Sequence, residues 1–281
     1  MEPDVLNDEL QIISRKRLMN KVAVITGGAR GIGAATAKLF AHNGAHVIIA
    51  DVLDDLGATL AKSIGGHYIH CDVAKEVDIE SAIELALSWK GQLDIMFNNA
   101  GIGGHQGSIT NLDMDQVKHL ISVNVYGILH GMKHAARAMI KGGKGGSIIC
   151  TSSSAAIMGG LGSHSYTLSK QAIVGVLKTT ACELGMHGIR VNCISPHGVP
   201  SEMLVNAYRE VLGKEDLKAE DVSKLVSERG SLLRGRSATA EDVAKAVLFL
   251  ASEDSGFITA HNLVLDGGFT SACSNMSFIY K

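Results

Sequence analysis

A chain of 281 residues with a formal charge of −2 has no basic field to attract a phosphodiester backbone or an anionic lipid surface, so neither nucleic acid nor membrane is an expected partner. With 46% hydrophobic and 19% charged residues and a mean hydropathy of +0.18, it has ample material for a buried core, which excludes a disordered chain. The five cysteines (Cys71, Cys150, Cys182, Cys193 and Cys273) are scattered and lack CxxC spacing, so no disulfide framework and no metal site are expected, but mostly buried thiols in a reducing compartment.

Residues 1–16 carry Glu2, Asp4, Asp8 and Glu9 and no apolar centre, unlike a signal or transit peptide, and read as a flexible tail on a cytoplasmic protein. From Lys21 onward, short β-branched runs alternate with longer segments of helical period, the pattern of strands joined by crossover helices. The first run, 22–26, opens directly into Thr26-Gly27-Gly28-Ala29-Arg30-Gly31-Ile32-Gly33. Glycines at 27, 31 and 33 permit a tight turn and close approach of the backbone to a pyrophosphate, which then rests on the first N–H groups of the following helix. The second run, 46–50, ends at Asp51, 18 residues beyond Gly33. A carboxylate there accepts both hydroxyls of an adenosine ribose and repels the phosphate of NADP, so NAD is the expected cofactor; capping the next helix is the alternative role for Asp51.

Further runs at 67–71, 93–98, 147–151, 190–194 and 262–265 bring the strands to seven. Most are nearly continuous in apolar residues, as parallel strands covered on both faces must be. The expected fold is therefore α/β: a single-domain Rossmann fold over 17–270, with a doubly wound seven-stranded parallel sheet and helices on both faces. The segment 200–236, rich in Lys, Glu and Leu, reads as one or two amphipathic helices inserted after a strand's carboxyl end. That position lies over the ligand crevice and makes it a candidate substrate lid, the alternative being a helical pair that only packs. Residues 271–281 form a C-terminal tail.

In order and at matching spacing, the glycine turn, Asn98-Asn99-Ala100-Gly101, Asn124-Val125-Tyr126-Gly127, Ser153, Tyr166-Thr167-Leu168-Ser169-Lys170 and Leu265-Asp266-Gly267-Gly268 resemble the short-chain dehydrogenase/reductase family. The resemblance implies a catalytic set of Asn124, Ser153, Tyr166 and Lys170. Tyr166 and Lys170 are four apart, so on a helix they share a face, and the ammonium is expected to bring the phenol from near 10 toward a working range. Ser153 lies thirteen residues before Tyr166 and would hold the substrate oxygen, with Ser154 its nearest rival and Ser152 the third of the run. The matching Asn124 holds a water that relays protons from the lysine; by itself, Asn124 would read as a polar residue on a helix surface. Cofactor contacts implied are Gly27, Arg30, Gly31, Ile32, Gly33, Asp51, Asp72 and Val73 at the adenine, Asn99 beside the ribose, Tyr166 and Lys170 at the nicotinamide ribose, and Val199 and Ser201 at the carboxamide.

In Ser195-Pro196-His197-Gly198-Val199-Pro200-Ser201 the chain departs from the family's Pro-Gly: His197 stands at the glycine position, where it either lines the pocket or is neutral. This stretch and Asp51-Val52-Leu53-Asp54-Asp55-Leu56-Gly57 look like the plant secondary-metabolism branch, with its borneol, secoisolariciresinol, xanthoxin and isopiperitenol dehydrogenases. Segments 103–106 and 155–159 and the lid from Met203 are mostly small and apolar, which suits a compact hydrocarbon alcohol such as borneol; a lignan, a xanthoxin-like or a steroid-like alcohol are alternatives. A nucleotide-sensing Rossmann protein without catalysis is the alternative of another class. The family further implies a homotetramer, and Met276, Phe278, Ile279 and Tyr280 in the tail are consistent with docking on a neighbour.

Overall fold

In the computed structural model, which describes residues 16–272, the apolar runs become strands at the centre of the molecule. The elements, in order, are β1 (Val22–Thr26), α1 (Gly31–His42), β2 (His46–Asp51), α2 (Asp54–Ser63), β3 (His67–His70), α3 (Glu76–Lys90) and β4 (Ile95–Asn98). There follow α4 (Met114–Ile121), a π-helical turn (Ser122–Tyr126), α5 (Gly127–Gly142), β5 (Gly146–Thr151), α6 (His164–Leu184) and β6 (Ile189–Pro196). The series ends with α7 (Glu202–Leu212), α8 (Ala219–Arg229), α9 (Ala240–Ala251) and β7 (Asn262–Leu265). The tails expected at 1–16 and 271–281 fall outside the described residues except for 16, 271 and 272.

All six strand pairings are parallel, and the seven strands lie in the order β3-β2-β1-β4-β5-β6-β7. The direction of winding reverses between β1 and β4, which opens a crevice at the carboxyl ends of the strands. Every position of the inner strands β1 and β4 is buried, whereas β3 and β7 at the sheet's edges are only partly covered. Two bounds differ from expectation by more than one residue. Asp94 turns its carboxylate onto the Val22 N–H (2.8 Å), so β4 starts only at Ile95, and β6 runs on to Pro196 because β7 pairs it that far.

One core lies on each face. Ile79 and Ile83 of α3, Met132 of α5 and Ile173 and Leu177 of α6 cover one side; Ala37 and Phe40 of α1 and Val243, Val247 and Leu250 of α9 cover the other. Each large side chain withdrawn from water contributes about 2 kcal/mol, so both helical layers are held by burial rather than by propensity. The 200–236 segment forms two helices with a small core of their own, Val205, Leu217, Val222 and Val226. Cys71, Cys150 and Cys193 are buried and Cys182 is exposed, all as free thiols. Among the described residues no helix is long and apolar enough to cross a membrane.

Candidate active site

β1 runs into the glycine turn, and α1 starts at Gly31 behind an N-cap, Arg30, that makes no side-chain capping bond. The helix's first N–H groups are therefore left for an anionic ligand. A β-carbon on Gly31 (φ +56°) would meet nothing within 4 Å, so this residue borders open space. One on Gly33 would stand 2.0 Å from the Gly27 carbonyl oxygen, which is how α1 leans so closely on the turn. Ile32 packs against the core beneath. At the end of β2 the Asp51 carboxylate accepts from Ala29 N (2.9 Å) and Leu53 N (3.0 Å). It faces the glycine turn, and the N-cap of α2 is Leu53 instead. An uncapped helix start, open space over a glycine and a fixed carboxylate one strand away fit a dinucleotide. Arg30 reaches across the crevice to an ion pair with Glu202 in the first turn of α7.

The three serines after β5 have three different partners. Ser152 Oγ donates to the Lys170 carbonyl (2.9 Å), and Ser154 Oγ bonds His197 Nδ1 (2.8 Å). Ser153 Oγ accepts from Ala155 N (3.1 Å), and of the three hydroxyls it is the one that acts on the Tyr166 phenol, so it is Ser153 that faces the tyrosine. Tyr166 stands in the first turn of α6, whose N-cap is Ser163. One turn on, the Lys170 ammonium lies 5.5 Å from the phenol ring's centre and donates to the Thr151 carbonyl (2.9 Å). Burial pushes the lysine down to about 8. The tyrosine differs from expectation: burial pushes its pKa up, and the opposing influence is the Ser153 hydrogen bond. The lysine is itself buried and turned to Thr151.

Asn124 sits in the π-helical turn between α4 and α5 and is fully buried, which corrects the reading of it as a surface residue. The widened turn aims its amide inward, a placement common where helices build sites. Its Nδ2 donates to the Ile102 carbonyl (3.0 Å) and Ser169 Oγ (3.1 Å), and its Oδ1 accepts from Ile102 N (2.8 Å). One amide donor and the amide oxygen thus clamp the segment after β4, while the other donor reaches α6 one residue before Lys170, whose Nζ is 3.5 Å from where a Gly101 β-carbon would stand.

Asn99 is similarly committed: Nδ2 donates to the Thr26 and Gly27 carbonyls (3.1 Å each), and Oδ1 accepts from Thr151 Oγ1 (3.2 Å). It ties together the ends of β1, β4 and β5. Thr26, which sequence reasoning had not singled out, completes the tie by accepting from Asn99 N (3.0 Å) and Ala100 N (3.2 Å). Past β3, the Asp72 carboxylate accepts from Ala74 N (3.1 Å), and buried Val73 is held by His130 Nδ1 against its carbonyl (2.9 Å).

Beyond β6, Val199 is buried and its carbonyl accepts from Ser201 N (2.7 Å), the N-cap of α7. His105 Nδ1 meets Glu210 Oε1 (3.1 Å), so α7 is tied to the glycine turn through Glu202 and to the 103–106 segment through Glu210. Met203 stands over Gly103. Ile157, Met158 and Met203 remain substantially exposed. Neither Glu202 nor Glu210 was foreseen, because a charge on a helix carries no signal until the helix is placed across a crevice.

A Rossmann sheet with this turn, and with Ser153, Tyr166 and Lys170 converging beside it, defines an NAD(P)-type oxidoreductase, and the chain belongs to the short-chain dehydrogenase/reductase family. Residues 27–270 match a family model described as Enoyl-(Acyl carrier protein) reductase. The chain is 66% identical over 269 residues to the short-chain dehydrogenase reductase ATA1 of Arabidopsis thaliana, covering 95% of this chain and 99% of that protein. It is 44% identical over 260 residues to (+)-borneol dehydrogenase 2 of Salvia officinalis, covering 91% of each. A solved short-chain type dehydrogenase/reductase from Mycobacterium marinum superposes with a TM-score of 0.81 at 31% identity, over 93% of this chain and 100% of that one.

Proposed function

We propose that this protein oxidises a small apolar secondary alcohol to its ketone with NAD, with a terpenoid such as borneol, giving camphor, as the substrate of choice. The observation that carries this reading is the convergence of Ser153, Tyr166 and Lys170 at the carboxyl edge of the sheet beside the glycine turn. Gly27, Arg30, Gly31, Ile32 and Gly33 would hold the pyrophosphate, Asp51 and Asn99 the adenosine ribose, Asp72 and Val73 the adenine, and Val199 and Ser201 the carboxamide. When bound, the nicotinamide supplies the acceptor for the hydride that leaves the carbinol carbon. Ser153 Oγ holds the alcohol oxygen, and the Tyr166 phenolate takes the hydroxyl proton as the C–O bond becomes a carbonyl. Lys170 would anchor the nicotinamide ribose and, with Asn124 holding the adjacent segment, would link the tyrosine to a path for that proton.

The preference for NAD rests on the Asp51 carboxylate, whose charge opposes a 2′-phosphate. The apolar substrate rests on Ile157 and Met158 in the turn that follows Ser153 and on Met203 of α7, all left substantially exposed, with α7 and α8 as the lid, and on the similarity to the Salvia borneol dehydrogenase. By the habit of the family the protein works as a cytoplasmic homotetramer, which sedimentation checks. NADH formation at 340 nm with borneol, a lignan and a sterol tests the substrate, and turnover confined to polar alcohols overturns it. Tyr166→Phe should abolish turnover with NADH binding nearly intact; more than a few per cent residual activity removes Tyr166 from its role.

A further inference from the structure

Where the family carries a glycine, this chain carries His197, and the structure gives that side chain a place. The loop still needs a glycine, but one residue later: Gly198 has φ +62°, and a β-carbon on it would stand 2.4 Å from Val226 Cγ1 of α8. Position 197 is thereby free for a side chain. β5 and β6 pair Thr151 with Ile194, and three residues beyond each lie Ser154 and His197, which meet through Ser154 Oγ and His197 Nδ1 at 2.8 Å.

The residue is fixed from three further sides. Its main-chain N–H donates to the Leu265 carbonyl (3.0 Å), and its ring stacks on Phe269 at 4.6 Å between centres and 11° between planes. Its Nε2 faces Gly230 at the end of α8, where a β-carbon would come within 3.1 Å. Burial lowers its pKa against the opposing charge of Asp266. Such a ring is a rigid post between the catalytic turn, the C-terminal loop and the lid.

We infer that His197 is a positioning residue: by holding Ser154 it fixes the turn that presents Ser153 to Tyr166 and to the substrate oxygen. This rests on the catalytic reading above. Ser153 takes part in the same turn, accepting from Ala155 N, so a Ser154 hydroxyl that swings free loosens Ser153 as well. The chemical step then suffers while dinucleotide binding, which draws mainly on the glycine turn, Asp51 and Asn99, changes little.

Three variants separate the bond from the packing. His197→Phe keeps an aromatic ring on Phe269 and removes the bond; Ser154→Ala removes the same bond from the other side; His197→Asn keeps an amide atom where Nδ1 stood and loses the ring. Turnover is read with the panel alcohol that the wild-type chain oxidises fastest, and NADH affinity by fluorescence titration. His197→Phe and Ser154→Ala should each lower kcat about tenfold with NADH affinity unchanged within twofold. The double variant should be no worse than either single one, and His197→Asn should recover most of kcat even with a lower Tm. Wild-type kcat in His197→Phe, multiplicative losses in the double variant, or His197→Asn falling as far as His197→Phe would each overturn the inference. Tyr166→Phe run alongside separates the two failures. If it stays active, or no alcohol is oxidised by the wild-type chain, the catalytic reading has failed; if it is inactive while His197→Phe is not, only the role of His197 has.

Discussion

Lys170 is buried with its charge, so the protein should become more stable when the charge is removed, by an amount that depends on pH. In the folded chain the ammonium falls from an ordinary 10.5 to about 8, chiefly through desolvation, which penalises its charged form by roughly 3 kcal/mol. Lys170→Met fills nearly the same volume without that charge but gives up the bond to the Thr151 carbonyl, at a cost of about 1 kcal/mol. The net gain is about 2 kcal/mol at pH 7, or roughly 4–8 °C in Tm for a chain of this size. Because the folded pKa is depressed, the wild-type chain carries the full penalty below about 8 and sheds it as pH rises through 10.5, above which folded and unfolded lysines are both neutral. Equilibrium urea unfolding of both proteins at one protein concentration, between pH 7 and 10.5, reads this lysine together with the buried thiols coupled to it, since every other group is common to the pair. A variant less stable than wild type at pH 7, or a difference that stays constant across that window, would refute the reasoning. Turnover should be lost throughout, so activity and stability move in opposite directions.

Three further outcomes follow from particular contacts. Asp51→Ser removes the charge that opposes a 2′-phosphate, so the ratio of kcat/KM for NADP over NAD should rise at least about tenfold in initial-rate assays, and an unchanged ratio would move cofactor choice elsewhere. Gly131→Ala would ordinarily stabilise a helix by about 1 kcal/mol, but its β-carbon would stand 1.8 Å from Asn98 Oδ1, already a buried atom with no hydrogen-bond partner. A loss of about 1–3 kcal/mol in urea unfolding is expected, and a gain would show that α5 moves freely off β4. Glu202→Gln breaks an exposed pair of small worth, so stability should hold within about 1 kcal/mol. The released Arg30 should bind dinucleotide a few-fold more tightly by NADH fluorescence titration; weaker binding would mean that the pair itself shapes the cofactor site.

What the sequence determined about this protein is what local periodicity encodes. The seven strands follow from β-branched runs that must be buried on both faces, the phosphate-binding turn from glycines between a strand and a helix, and the shared face of Tyr166 and Lys170 from a spacing of four. Asp51 at the end of the second strand belongs to the same kind of signal. The two helices of 200–236 were legible from their amphipathic pattern, though their contacts across the crevice were not.

Other features arose only when distant segments met. Spacing to Tyr166 selects Ser153 from the run of three serines, but what each hydroxyl does is decided by Tyr166 and Lys170 of α6 and by His197 beyond β6. Asn124 has a polar side chain with no local cue for burial, and the π-helical turn and the Ile102 backbone decide that it points inward. Arg30 and Glu202 are 172 residues apart and become partners through the placement of α7. The proton affinity of Tyr166 belongs to this second group as well. Spacing puts an ammonium near it, but the removal of water by packing sets the sign of the shift, and that is a property of the assembled crevice rather than of any segment.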